Sequence, residues 1–243
     1  MMRTFTLFLL LIATLSIAQA QETIWANSIP SAYQNEVKAL KTWRDSLYVA
    51  GTFRDTADFL GTDFKVAGNS EDDGYVALLD EDGNIVWYQI LKAENPSAKV
   101  NIKTIAVDEI GGVYICGEFR GTVELASGET ITETNGKNGF FVAKYDSSGN
   151  FRWKVAQAGS TTALEYKCKG ISYYNGKLAA AGELKGGAGT FGSFSLSNSG
   201  TKEVGFIVLM DSAGVVQDAK TVLTVTSEGA SLEDIAMDAT HIY

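Results

Sequence analysis

Cysteine and proline occur twice each and histidine once in this chain of 243 residues, and each scarcity removes a class of explanation. With His241 as the only histidine, a His-based catalytic triad is not expected, and no grouping of His and Cys has the spacing of a metal site. Cys116 and Cys168 are too few and too far apart for the disulfide framework of a small secreted domain. Each lies in a strand-like run, YICG and YKCKG, where a buried thiol packs as a small hydrophobe, so two packed thiols are expected in preference to a bridge. Positive charge is also short, 20 Lys and Arg against 29 Asp and Glu for a net charge of −9. Phosphate binding needs clustered basic residues, so neither nucleic acid nor an anionic lipid surface is expected as partner. The acidity serves solubility.

Long apolar runs are confined to the first 20 residues. Arg3 supplies one positive charge, Phe5 to Ile17 is almost wholly apolar, and Ala18-Gln19-Ala20 has the small-x-small form of a cleavage site. The run is shorter than the roughly 20 apolar residues that cross a bilayer. Residues 1–20 read as a cleavable signal peptide, which predicts an extracellular or surface location without membrane insertion.

What the chain does have is glycine, 25 residues of it, beside runs of Tyr, Phe, Trp, Val, Ile and Thr. That is the chemistry of strands and tight turns, and the expected class is all-β. The runs repeat. LYVAGTFRDTADF (47–59), VYICGEFRGTVEL (113–125) and LAAAGELKGGAGTF (178–191) share a glycine, Gly51, Gly117 and Gly182, at spacings of 66 and 65. YVALLDEDGN, FVAKYDSSGN and FIVLMDSAGV keep the same spacings and carry Asp80, Asp146 and Asp211. In each, Asp opens a tight turn and Gly stands where positive φ is needed, which explains the acidic DEDGN run as a hairpin in preference to a Ca²⁺ loop.

Every unit has four strand-like runs, apolar on both faces, as sheets stacked face to face require. Four antiparallel strands at a period of about 65 residues describe a β-propeller blade. The expected boundaries are 36–92, 100–157 and 166–222, with a fourth blade starting at 232–243. Residues 21–30 match the last strand of a unit, Trp25 falling where Trp87 and Trp153 fall. Roughly three and a half blades form an incomplete ring, so the chain reads as the front of a longer protein whose orphan first strand would complete the final blade and close the ring, monomeric when whole. The phrase apolar-Tyr-Val-x-Gly-x-Phe, then Phe-Val-x-Lys-x-Asp-x-x-Gly-Asn-x-x-Trp, resembles the seven-bladed propeller repeat of secreted bacterial proteins, the SBBP repeat. The resemblance implies a secreted or cell-surface propeller, frequently one carrying a sorting domain for type IX secretion.

No segment has the order of a phosphate loop, GGAGTFG lacking the Lys-Ser/Thr ending, and no cofactor is expected. One constellation recurs. Thr52, Glu118 and Glu183 share a repeat position, and Arg54, Arg120 and Lys185 stand two residues on, hence on the same strand face. Around a ring they would form adjoining acidic and basic girdles, either paired with each other or acting as a rim for a protein or glycan ligand. The expected function is a non-catalytic binding or scaffold module. The alternative is a polysaccharide lyase or hydrolase with carboxylates at the axis, or the targeting module of a larger secreted enzyme.

Overall fold

The computed structural model describes residues 34–59, 61–65, 72–198, 200–223 and 232–243, without the side chains of 63–65 and 223. The signal peptide expected at 1–20, the strand expected at 21–30 and Trp25 lie outside the described residues. Among those described, every regular element is a strand and every strand pair is antiparallel.

Three sheets follow one another along the chain. In the first, β1 (Asn35–Trp43) pairs with β2 (Ser46–Arg54), a hairpin of β3 (Thr56–Phe59) and β4 (Thr62–Lys65) intervenes, and β5 (Asp72–Leu79) and β6 (Ile85–Ala93) complete the order β1-β2-β5-β6. The second repeats this with β7 (Lys99–Val107), β8 (Val113–Arg120), the hairpin β9 (Thr122–Ala126) and β10 (Glu129–Thr132), then β11 (Gly139–Tyr145) and β12 (Phe151–Gln157). The third uses β13 (Glu165–Tyr174), β14 (Lys177–Lys185), the hairpin β15 (Gly189–Phe191) and β16 (Phe194–Leu196), then β17 (Val204–Asp211) and β18 (Val216–Leu223). The stretch between the second and third long strands of each unit is therefore a hairpin of its own. That of the second unit bonds to the outer strand of the first, through Lys92↔Glu124 and Ala93↔Val123.

The central strands are buried along nearly their whole length, as apolar residues on both faces demand. Tyr48, Ala50 and Val76 of the first sheet pack with Ile102, Ile105 and Ile115 of the second. Tyr114, Phe140 and Val142 of the second pack in turn with Tyr166, Ile171 and Phe206 around the third. Residues 232–243 form no named strand; Met237 bridges Ile242, and Ile235 packs on Ala179 and Ala181.

The repeated turns have the expected form. Oδ1 of Asp80, Asp146 and Asp211 accepts the N–H groups two and four residues on at 2.8 to 3.0 Å, while Gly83, Gly149 and Gly214 take φ near +82°, +81° and +82°. These turns are also docking points. Trp87 Nε1 donates to Ser147 O and Trp153 Nε1 to Ser212 O, both at 3.0 Å, so the first and second units each lay a tryptophan on the next unit's turn. A Cβ on Gly149 or Gly214 would come within 2.7 or 2.6 Å of the indole. Both tryptophans are half-buried, with one face on the turn, and not fully enclosed. Trp153→Ala is expected to cost about 2 kcal/mol, below the 3 to 5 of a fully buried aromatic, measured by urea unfolding.

The two cysteines depart from expectation. Cys116 of β8 and Cys168 of β13 form a disulfide across the second and third sheets, their Cα atoms 6.5 Å apart. Within one sheet neither strand offers such a partner. Stacking successive sheets face to face brings the second strand of one against the first strand of the next, and that relation is not visible in either local run.

Candidate binding rim

The shared glycines are explained by the strand beside them. In β1, β7 and β13 the pairing register shifts between Val37 and Ala39, between Ile102 and Thr104, and between Cys168 and Gly170. Each shift is a bulge whose extra residue is a lysine: Lys38, Lys103 and Lys169. The bulge drives the preceding carbonyl toward the neighbouring strand, and only glycine leaves room for it. A Cβ on Gly117 would lie 2.5 Å from Asn101 O and 2.8 Å from a ring carbon of Phe141. Gly51 and Gly182 meet the carbonyls of Glu36 and Lys167 in the same way. Sequence reasoning passed over these lysines, although their spacings of 65 and 66 follow the period.

The recurrent acidic and basic positions do not pair with each other. Arg54 Nε and Nη2 donate to Asp72 Oδ1 at 3.0 and 2.7 Å, Arg120 Nε donates to Ser97 O at 3.1 Å, and Lys185 lies 3.9 Å from Glu203. The glutamates turn instead toward the bulged strands. Glu118 faces Lys103 at 3.9 Å and accepts the Cys168 N–H at 3.3 Å and the Asn138 amide at 3.3 Å. Glu183 faces Lys169 at 3.2 Å and Lys167 at 3.7 Å, while Lys167 binds Glu203 at 2.7 Å. Thr52, the first-unit counterpart, is buried. The physical reason is the bulge, which re-aims a lysine onto the acidic position and leaves the basic position to the start of β5 or to the loops before β7 and β17. Burial pushes the Glu118 carboxyl above the usual carboxylate range, against the pull of the nearby lysines.

At Arg120 the rim opens into a groove of about 460 Å³, lined by Pro96, Ser97, Arg120, Gly121, Glu133 and Thr134. Its floor is held from within. The buried Glu133 carboxylate accepts the N–H groups of Gly136 and Lys137 at 2.9 and 3.2 Å, fixing the bend after β10.

Two further polar features stand apart from the rim. Lys144 occupies the position of Leu78 and Leu209 in the other units. Its ammonium reaches Asp108 at 3.0 Å and Tyr114 Oη at 2.7 Å, a self-satisfied cluster between the second and third sheets. The other is Asp73, wholly buried, with Oδ1 accepting Ala93 N–H at 2.7 Å and Oδ2 without a hydrogen bond. Desolvation raises its pKa from 3.8 to about 7. Between those values the folded chain holds a proton that the unfolded chain has lost, so stability falls as pH rises through that window. Asp73→Asn is expected to flatten this dependence and to add about 2 kcal/mol at pH 8, read from urea unfolding at pH 5 and pH 8.

Among the described residues no group of three His, Cys, Asp or Glu is placed to hold a metal ion, and no helix is long and apolar enough to cross a membrane. No family model matches the chain, and no curated protein matches it.

Proposed function

We propose that the chain is an exported, surface-acting binding module built as part of a β-propeller, with a glycan as ligand and no catalysis of its own. The observation that carries this reading is the adjacency of the first strands, β1 beside β7 and β7 beside β13. Sheets that share such an inner edge are arranged about a common axis, and the rim residues of successive units then stand at one end of it. There β2, β8 and β14 each lead into a hairpin, and the polar groove at Arg120 lies at the end of β8. Loops held on a rigid scaffold are the usual carriers of recognition. The groove offers hydroxyls, main-chain groups and a guanidinium, which suits a hydroxyl-rich ligand better than the aromatic and apolar centre of a protein interface. The leader read in residues 1–20 would deliver the module outside the cytoplasm.

The test is calorimetric titration of the secreted chain against a panel of neutral and acidic polysaccharides. Binding to at least one, weakened tenfold or more by Arg120→Ala with the fold retained, is expected. Absence of binding across the panel, or indifference to Arg120, overturns the reading. The raised pKa of Glu118 is the one feature favouring a lyase or hydrolase instead. Shortening of a bound polymer, abolished by Glu118→Gln, would establish that alternative.

A further inference from the structure

Independently of that reading, we infer that the junction after the third sheet is a binding site for a small aromatic molecule bearing a hydroxyl group, a phenol. The site follows from two repeat positions. On the face that each sheet turns to the next unit, one cross-strand row runs Tyr48, Leu78 and Trp87 in the first sheet and Tyr114, Lys144 and Trp153 in the second. Tyrosine and tryptophan meet in both rows, with ring centroids 5.9 and 5.8 Å apart, and both tyrosines are wholly buried. The same row of the third sheet is Ala179, Leu209 and Asp218. A methyl group and a carboxylate thus stand where two large rings stand in the other rows, and Asp218 pairs with Lys220 at 2.7 Å.

The space left is a groove of about 590 Å³ between the third sheet and the segment 237–242, lined by Leu178, Leu209, Met210, Gln217, Met237 and His241 among others. Small-molecule sites occupy about 300 to 1,000 Å³, so a single ring with a substituent fits. Aliphatic groups and two thioethers suit the faces and edges of an aromatic ring. The polar end is supplied by the turn of that segment. In the first junction Tyr48 Oη reaches the corresponding turn of the second unit and donates to Gly111 O at 2.5 Å. A ligand hydroxyl would repeat that bond at Thr240 and His241, where Nδ1 of His241 is engaged with Thr240 Oγ1 at 2.7 Å and Nε2 is left to meet it. Tyr243 does not fill the groove, since its hydroxyl is tied to Asp238 Oδ2 at 2.8 Å and the residue is 70% exposed. The entrance is open, Gln217, Thr240 and His241 being exposed. It also lies at the other end of the strands from the rim, because Lys177 of its lining opens β14 whereas Arg120 closes β8.

Met210 and Met237 are the only methionines after residue 20 and both line the groove, so their methyl groups, isotope-labelled for NMR, report on it directly. Titration of the secreted chain with phenol is expected to move both methyl signals along one saturable curve. Benzene, which lacks the hydroxyl, should bind about fivefold more weakly, the worth of one hydrogen bond, and cyclohexanol, which lacks the aromatic ring, should bind severalfold more weakly. Asp218→Trp and Ala179→Tyr restore the residues of the other two rows on different strands, and each is expected to weaken phenol binding severalfold or more with the strand content retained. Absence of a saturable shift in the unaltered chain overturns the inference without recourse to any variant, as does cyclohexanol binding as tight as phenol. Phenol binding undiminished in both variants overturns it too. Shifts of both signals by glycyl-tyrosyl-glycine at lower concentration than by phenol would assign the groove to a side chain of a protein partner and overturn the small-molecule reading.

Discussion

Replacing Cys116 and Cys168 together by alanine is expected to lower the stability of the chain by about 4 kcal/mol, the loss of loop-closure constraint for a cross-link spanning some 50 residues in the chain-entropy account. The bond runs from β8 to β13, so it ties the second sheet to the first strand of the third, beside the point where Glu118 accepts the Cys168 N–H. Urea unfolding of the oxidised chain, the reduced chain and the double variant measures the effect. Reduced chain and variant should agree closely and both fall well below the oxidised form. A difference under 1 kcal/mol would mean that the unfolded chain is not constrained by the bridge. Export to an oxidising compartment, as read from residues 1–20, is the condition under which such a bond persists.

Gly117→Ala is expected to cost about 3 kcal/mol, at the upper end of ordinary overpacking, because the new methyl would meet a backbone carbonyl at 2.5 Å and the Phe141 ring at 2.8 Å. Neither neighbour can move away: the carbonyl belongs to the bulge in β7, and Phe141 is wholly buried. Gly128→Ala is the control. Gly128 sits in the β9–β10 turn at φ +80° with nothing within 4 Å of the added carbon, so only the conformational penalty of about 1 kcal/mol applies. Thermal and urea unfolding of the two variants separates close approach from backbone strain. Equal losses would show that the bulge relaxes around the methyl group.

The parts legible in the sequence are those governed by local chemistry. The Asp and Gly of each turn state their own geometry, and Gly51, Gly117 and Gly182 announce the period. The bulge was written there as well, less openly: in β7 the buried positions are Val100 and Ile102, then Ile105, a change of parity that only an extra residue produces. The disulfide was not legible, because it depends on which faces of two sheets meet. Nor was the partner of Glu118, since a lysine one strand away points at it only after the bulge has turned it. Trp87 and Trp153 share a repeat position that the sequence displays, but their half-exposure follows from a partner that is a turn of the following unit and not an apolar pocket.

That tryptophan contact has a direction, from each unit to the one after it, and the surface that gives is different from the surface that receives. The tryptophan contact is alike at the two junctions described, and so that contact by itself does not record which unit it joins. Duplicating or deleting one whole period, cut for example in the stretch between Ala93 and Lys99, leaves each surviving junction with a tryptophan and a turn to match. The lineage of such a chain can therefore change its number of units by recombination within its own gene.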